Sequence, residues 1–225
     1  MMASHLLLAA ALTFSTSAPA SEAAAVAATT VTQGSNTSPR VFLNAFARCL
    51  ARARPDAARA VVNLPTASRE QMAAAAGILN GDDGCGGARE FELPGGGLTL
   101  VGGLAEALLA AEPQSRSVVA LASWNDDAIG RSLLRPRNGN EDMGICVVRR
   151  APQQTASLLA TTPDTLAETR AIQALVQHLG PCAPAGATMA FDKPTIRAQL
   201  AIALYRAGSF LRTAPATASI APSRN

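Results

Sequence analysis

Two cysteine pairs of identical spacing constrain this chain more than anything else in it. Cys49 and Cys85 stand 36 positions apart, and so do Cys146 and Cys182. Their surroundings match as well: Arg52 and Pro55 follow the first cysteine as Arg149 and Pro152 follow the third, at an offset of 97. This reads as a tandem duplication of one cysteine-stapled unit. Four cysteines in an exported chain imply two disulfides. Zinc is the competing use. It fails because there is no Cys-x-x-Cys and, past the N-terminal segment, one histidine, His178. Three connectivities exist. Locality favours Cys49–Cys85 and Cys146–Cys182, each staple worth about 4 kcal/mol in the chain-entropy picture.

Export is read from the N-terminus. Leu6 to Phe14 is an apolar run suited to the core of a secretion signal and too short to span a bilayer. Ala18-Pro19-Ala20 supplies the small residues of a cleavage site, so residues 1–20 are expected to be removed. No cysteine follows the apolar run to carry a lipid anchor, and no later run is apolar enough to cross a membrane. The mature chain is expected in the periplasm or outside the cell.

Hydrophobic residues make up 48% of the chain, which argues against disorder, and aromatics only 4%, so the core must come from Ala, Leu, Val and Ile. Alanine and leucine favour helix, and the expected fold is all-α, with at most one very short β ladder. The net charge of +3 carries no dense basic stripe, which excludes nucleic acid as a natural partner.

The organisation follows from periodicity and punctuation. Residues 21–38 form a leader rich in Ala, Thr and Ser; 39–111 the first helical unit; 112–140 a linker with a helical segment; 141–212 the second unit; 213–225 a tail. Phe42, Phe46, Cys49 and Leu50 share one helical face, and Pro55 ends that helix or starts the next. Ser68-Arg69-Glu70-Gln71 has the form of a capping box, repeated 97 positions later by Thr165-Leu166-Ala167-Glu168. Ile172, Leu175, Val176 and Leu179 make an apolar stripe in the second copy. Glu90 to Leu93 and Thr188 to Phe191 are the candidate ladder. Leu100, Leu104 and Leu108 match Ile196, Leu200 and Leu204 at an offset of 96, and Gly102 and Gly103 permit close helix packing.

Cys146-Val147-Val148-Arg149, with Ile196-Arg197-x-x-Leu200-Ala201-x-Ala203-Leu204-Tyr205-Arg206, resembles a family of uncharacterised, exported, cysteine-paired helical proteins of Gram-negative, sphingomonad-like bacteria. The resemblance covers mainly the second unit. The first departs from it with Leu50-Ala51 after the cysteine, Val101 for Arg197 and Leu109 for Tyr205. It implies a fold and a compartment, and carries no chemistry.

No catalytic residue is assigned. A nucleophilic triad needs a histidine, and His178 precedes Gly180-Pro181 at a predicted helix end, where it complements the helix dipole. Paired carboxylates could hydrolyse glycan. The eligible acids are Glu70, Glu106, Glu168, Asp126 and Asp127, the last two beside Trp124. Glu168 is taken up by its capping box, and Glu106 is replaced by Ile202 in the second unit. Asn80-Gly81-Asp82-Asp83-Gly84 lacks the alternation of a calcium loop. No metal or cofactor is expected.

Arg52, Arg149 and Arg197 are the candidates for anion or partner binding, because a guanidinium makes forked contacts to carboxylate and phosphate. Three readings remain: a non-catalytic binding or scaffolding protein of the cell envelope, its partner another envelope protein or a small anionic ligand; a carboxylate-dependent envelope hydrolase; and a structural or stress-related protein with no ligand.

Overall fold

A proline sets the first helix boundary in each half of the molecule. The residue before proline is driven out of the helical region. Arg54 before Pro55 adopts φ −135°, ψ 61°, and Ala151 before Pro152 adopts φ −139°, ψ 57°. Each lies between two helices that meet at an angle. The computed structural model describes residues 38–79, 84–85, 96–112, 135–183 and 192–213, and all that follows concerns these.

They form eight α-helices and no strand. The first half contributes α1 (Pro39–Ala53), α2 (Pro55–Asn63), α3 (Arg69–Leu79) and α4 (Gly97–Ala111). The second contributes α5 (Gly139–Arg150), α6 (Pro152–Leu159), α7 (Leu166–Leu179), followed by a 3-10 turn (Gly180–Cys182), and α8 (Lys193–Thr213). The candidate ladder and the linker's helical segment fall outside the described residues.

The loops before α3 and α7 are built alike. Ser68 caps α3, its hydroxyl accepting from Gln71 N–H at 3.1 Å, while the Gln71 side-chain oxygen accepts from Ala67 N–H at 2.8 Å. Thr165 caps α7, accepting from Glu168 N–H at 3.2 Å, while Glu168 accepts from Asp164 N–H at 2.9 Å. Both boxes reach one residue further back than the usual form, to a residue with positive φ: 59° at Ala67 and 61° at Asp164. The returned hydrogen bond holds a left-handed backbone conformation, one that alanine disfavours and aspartate tolerates better.

The disulfides close within each half, Cys49–Cys85 and Cys146–Cys182, with Cα–Cα distances of 5.7 and 5.6 Å. α1 and α2 pack on α4, α5 and α6 pack on α8, and α4 and α8 cross at the centre. Leu100, Leu104 and Leu108 meet Ile196, Leu200 and Leu204 in this core, all buried. The crossing is tightest at Gly102, where a Cβ would lie 2.5 Å from the Cα of Ala198. Gly102 and Ala198 stand 96 positions apart, the same offset that matches the leucines of α4 to those of α8. The apolar stripe expected on α7 is only partly buried: Leu175 is fully buried and Ile172 and Leu179 partly so, but Val176 is 57% exposed.

Candidate functional site

The seam between the halves gathers charge. Arg197 enters it from the second turn of α8 and is almost wholly buried. Its Nε and Nη2 donate to the two oxygens of Glu106 on α4, at 2.7 and 2.8 Å, a forked pair. Its Nη1 donates to Glu168 at 3.2 Å and to the Thr161 hydroxyl at 3.0 Å. The remaining bonds go to the carbonyls of Leu158, Leu159 and Thr161, so the guanidinium also caps the C-terminal end of α6.

Arg40, in the first turn of α1, crosses from the other half. It donates to Glu168 at 2.8 and 2.9 Å and to Asp164 at 2.6 Å. Asn44, one turn on, donates to Glu106 at 3.1 Å and accepts from Arg48 at 2.6 Å. A cleft beside Arg40, Asn44, Glu106 and Arg197 has a volume of about 20 Å³, room for a water molecule and no substrate.

A second cluster mirrors the first. Arg137, 97 positions after Arg40, crosses to the first half and donates to the carbonyls of Asn63 and Leu64 at 2.8 and 3.0 Å. Asn138 caps α5, accepting from Glu141 N–H at 3.1 Å, and Glu141 returns the bond by accepting from Arg137 N–H at 2.7 Å. The buried Glu141 carboxylate also accepts from Thr66 N–H at 2.8 Å and pairs with Arg137 at 2.8 Å and Arg206 at 2.7 Å.

Burial by itself would raise the pKa of Glu141. The hydrogen bonds from Arg137, Arg206 and the backbone outweigh it and hold the carboxyl down to about 2. Glu168 follows the same logic: burial raises its pKa, and Arg40, the Asp164 N–H and Arg197 bring it below the ordinary value. For Arg197 burial works against the charge, and Glu106 and then Glu168 hold it protonated.

The candidates read from the sequence scatter. Arg197 is consumed by the seam. Arg149 lies in the last turn of α5, half-buried. Arg52 lies exposed in the last turn of α1, beside a groove of about 400 Å³. Cys49, Cys85, Cys146 and Cys182 are all oxidised. His178 occupies the last turn of α7, and Glu70 is exposed in the first turn of α3. Trp124, Asp126 and Asp127 lie outside the described residues, as do residues 80–83. Among the described residues no His, Cys, Asp and Glu side chains gather as a metal site, and no helix is long and apolar enough to cross a membrane.

Arg206 was grouped from sequence with Arg149, Arg150 and Arg197, whereas Arg40, Arg137 and Glu141 were not singled out. Two signals pointed to them: Arg40 and Arg137 share the offset of the cysteines, and Asn138-x-x-Glu141 has the capping-box form recognised elsewhere. No protein family matches this chain, and no curated protein or solved structure matches it either.

Proposed function

We propose that this chain is an exported binding or scaffolding protein of the cell envelope, made of two copies of one disulfide-stapled helical unit, and that it works without catalysis. The observation that carries the reading is the fate of the buried charges. Arg197 binds two carboxylates, a hydroxyl and three carbonyls of its own chain. Glu168 is held ionised between Arg40 and Arg197. A glycosidase needs one carboxyl kept protonated as general acid, and these groups are arranged for the opposite. Their effect is to lock two halves into one rigid body, which suits a scaffold. Two disulfides support an oxidising compartment.

The test is to tag the mature protein, fractionate its native cells, and identify by mass spectrometry what co-purifies with it from the envelope. The reading expects oxidised protein in the envelope fraction with a stoichiometric companion, a protein or a small molecule. Protein confined to the cytoplasm with free thiols would overturn it, as would turnover of envelope glycan by the purified chain.

A further inference from the structure

The groove beside Arg52 is unlike the seam, because among the described residues its charge is not used up. α1 forms one wall through Arg48, Ala51 and Arg52, α2 enters at Pro55 and Arg59, and the end of α4 supplies a floor of Ala107, Leu108, Ala110 and Ala111. Alanines where larger side chains would fit leave about 400 Å³ open, within the range of small-molecule sites. The arginines are not equivalent. Arg59 is already paired with Asp56 and Glu112, at 2.8 and 3.0 Å, and those are the carboxylates at this site. Arg48 gives one of its donors to the neutral Asn44. Arg52 has no hydrogen-bond or ion-pair partner among the described residues and stands one helical turn from Arg48, on the same face. Two positive side chains therefore overhang an apolar trough, with the N-terminus of α2 adding its partial positive charge.

The second half shows that the fold does not require such a trough. The positions matching Arg48, Ala51 and Arg59 at the offset of 97 are Ile145, Val148 and Ala156. Ile145 and Val148 are buried, as is Leu204, which matches Leu108. A separate cavity of about 160 Å³ lies between α4, α6 and α8, lined by Glu106, Leu109, Ala156, Leu159, Ala160 and Leu204, with no arginine on it.

We propose that the groove between α1, α2 and α4 binds a single-chain anionic amphiphile, an alkyl carboxylate, with its head on Arg52 and Arg48 and its chain along Ala107, Leu108 and Ala111. A carboxylate accepts a forked pair of bonds from one guanidinium, and an alkyl chain needs only the apolar floor. The proposal names the ligand of the binding protein inferred above and rests on that reading.

The experiment is calorimetric titration of the mature, oxidised protein with sodium decanoate below its micelle concentration, with decyl maltoside and decyltrimethylammonium as neutral and cationic controls. The expected result is saturable binding of one decanoate and none of either control. Arg52→Ala should weaken it about tenfold while leaving the helical circular dichroism and thermal midpoint unchanged, and Arg48→Ala should weaken it about tenfold with the helical circular dichroism unchanged. Ala110→Trp, which fills the trough and spares both arginines, should abolish it. Absence of saturation, equal binding of decyl maltoside, or wild-type affinity in Arg52→Ala and Ala110→Trp would each overturn the proposal. If decanoate fails while the envelope purification still yields a stoichiometric companion, the groove assignment falls and the broader reading stands.

Discussion

The two sides of the crossing between α4 and α8 solve one packing problem in different ways. On one side Arg197 of α8 meets Glu106 of α4 in a forked ion pair. The corresponding positions, at the offset of 96, are Val101 on α4 and Ile202 on α8, both fully buried. Each half thus carries one polar and one apolar member, and the symmetry is broken at two places that compensate each other. The ion pair contributes what the apolar side cannot: it reaches past Glu106 to Glu168 and the end of α6, tying four elements at one point. Removing one member leaves a buried charge without its partner, whereas replacing both restores an apolar contact. Arg197→Val should therefore cost about 3–5 kcal/mol. Adding Glu106→Ile should recover at least half of that loss, read as a coupling energy in a urea-denaturation cycle. Additive costs would show that the two sides are not interchangeable.

A second contrast separates Asn44 from Glu141, which correspond at the offset of 97. Both are buried near the start of the first helix of their half, but only Glu141 titrates. Its pKa falls from the usual 4.5 to about 2 in the folded protein. A lowered folded-state pKa gives stability that is complete above the unfolded value and is lost as pH drops through the folded one. Between pH 5 and pH 2 the protein should lose about 3 kcal/mol through this carboxylate. Glu168 and Asp164, both lowered, add to the loss in the same direction. Glu141→Gln should flatten this part of the pH–stability curve and make the protein less stable at pH 7. A variant curve parallel to that of the wild type would remove Glu141 from the account.

Helix spacing supplies a third contrast. In the first half the glycine is on α4, where a Cβ at Gly103 would lie 2.7 Å from that of Ala47 on α1. In the second it is on the other partner: Gly144 of α5 corresponds to Ala47, and a Cβ there would lie 3.1 Å from that of Ala203 and 3.3 Å from the Gln199 carbonyl oxygen. Each crossing has one residue without a Cβ, on opposite helices. Gly103→Ala should cost about 1–3 kcal/mol by overpacking, even against the helix-propensity gain. The double variant Gly103→Ala, Ala47→Gly copies the second half's arrangement and should return most of it in thermal melts.

Much of this fold was legible in the sequence, and the reason is locality. Pro55 and Pro152, the Ser68 and Thr165 boxes, and the leucine spacing of α4 and α8 act over at most two turns, and each element formed where they placed it. Locality also gave the disulfide pairing. The seam was not legible, because Arg40 meets Glu168 across 128 positions and Arg197 meets Glu106 across 91. Glu106 was set aside because Ile202 replaces it in the other half. Its partner, Arg197, is likewise replaced, by Val101. A charge present in one half only, together with the opposite charge present only in the other, marks a pair between the halves. Arg197 was grouped with Arg149 and Arg52 as a ligand contact on residue type alone, and burial separates the three.

The smallest expected effect tests whether the two capping boxes are equivalent. The Ser68 and Thr165 hydroxyls accept from Gln71 and Glu168 N–H at nearly equal distances, 3.1 and 3.2 Å. The boxes differ in what holds their other half. Gln71 uses its amide donors on the carbonyls of Val61 and Leu64, at 3.2 and 3.3 Å, within its own half. Glu168 has no donors, so its carboxylate draws in Arg40 and Arg197 instead. The hydroxyl bond itself is the same in both, and Ser68→Ala and Thr165→Ala should each cost about 1 kcal/mol in urea denaturation. If Thr165→Ala costs several times more than Ser68→Ala, the cap is also positioning the Glu168 carboxylate for the two arginines, and the box at α7 has become part of the seam.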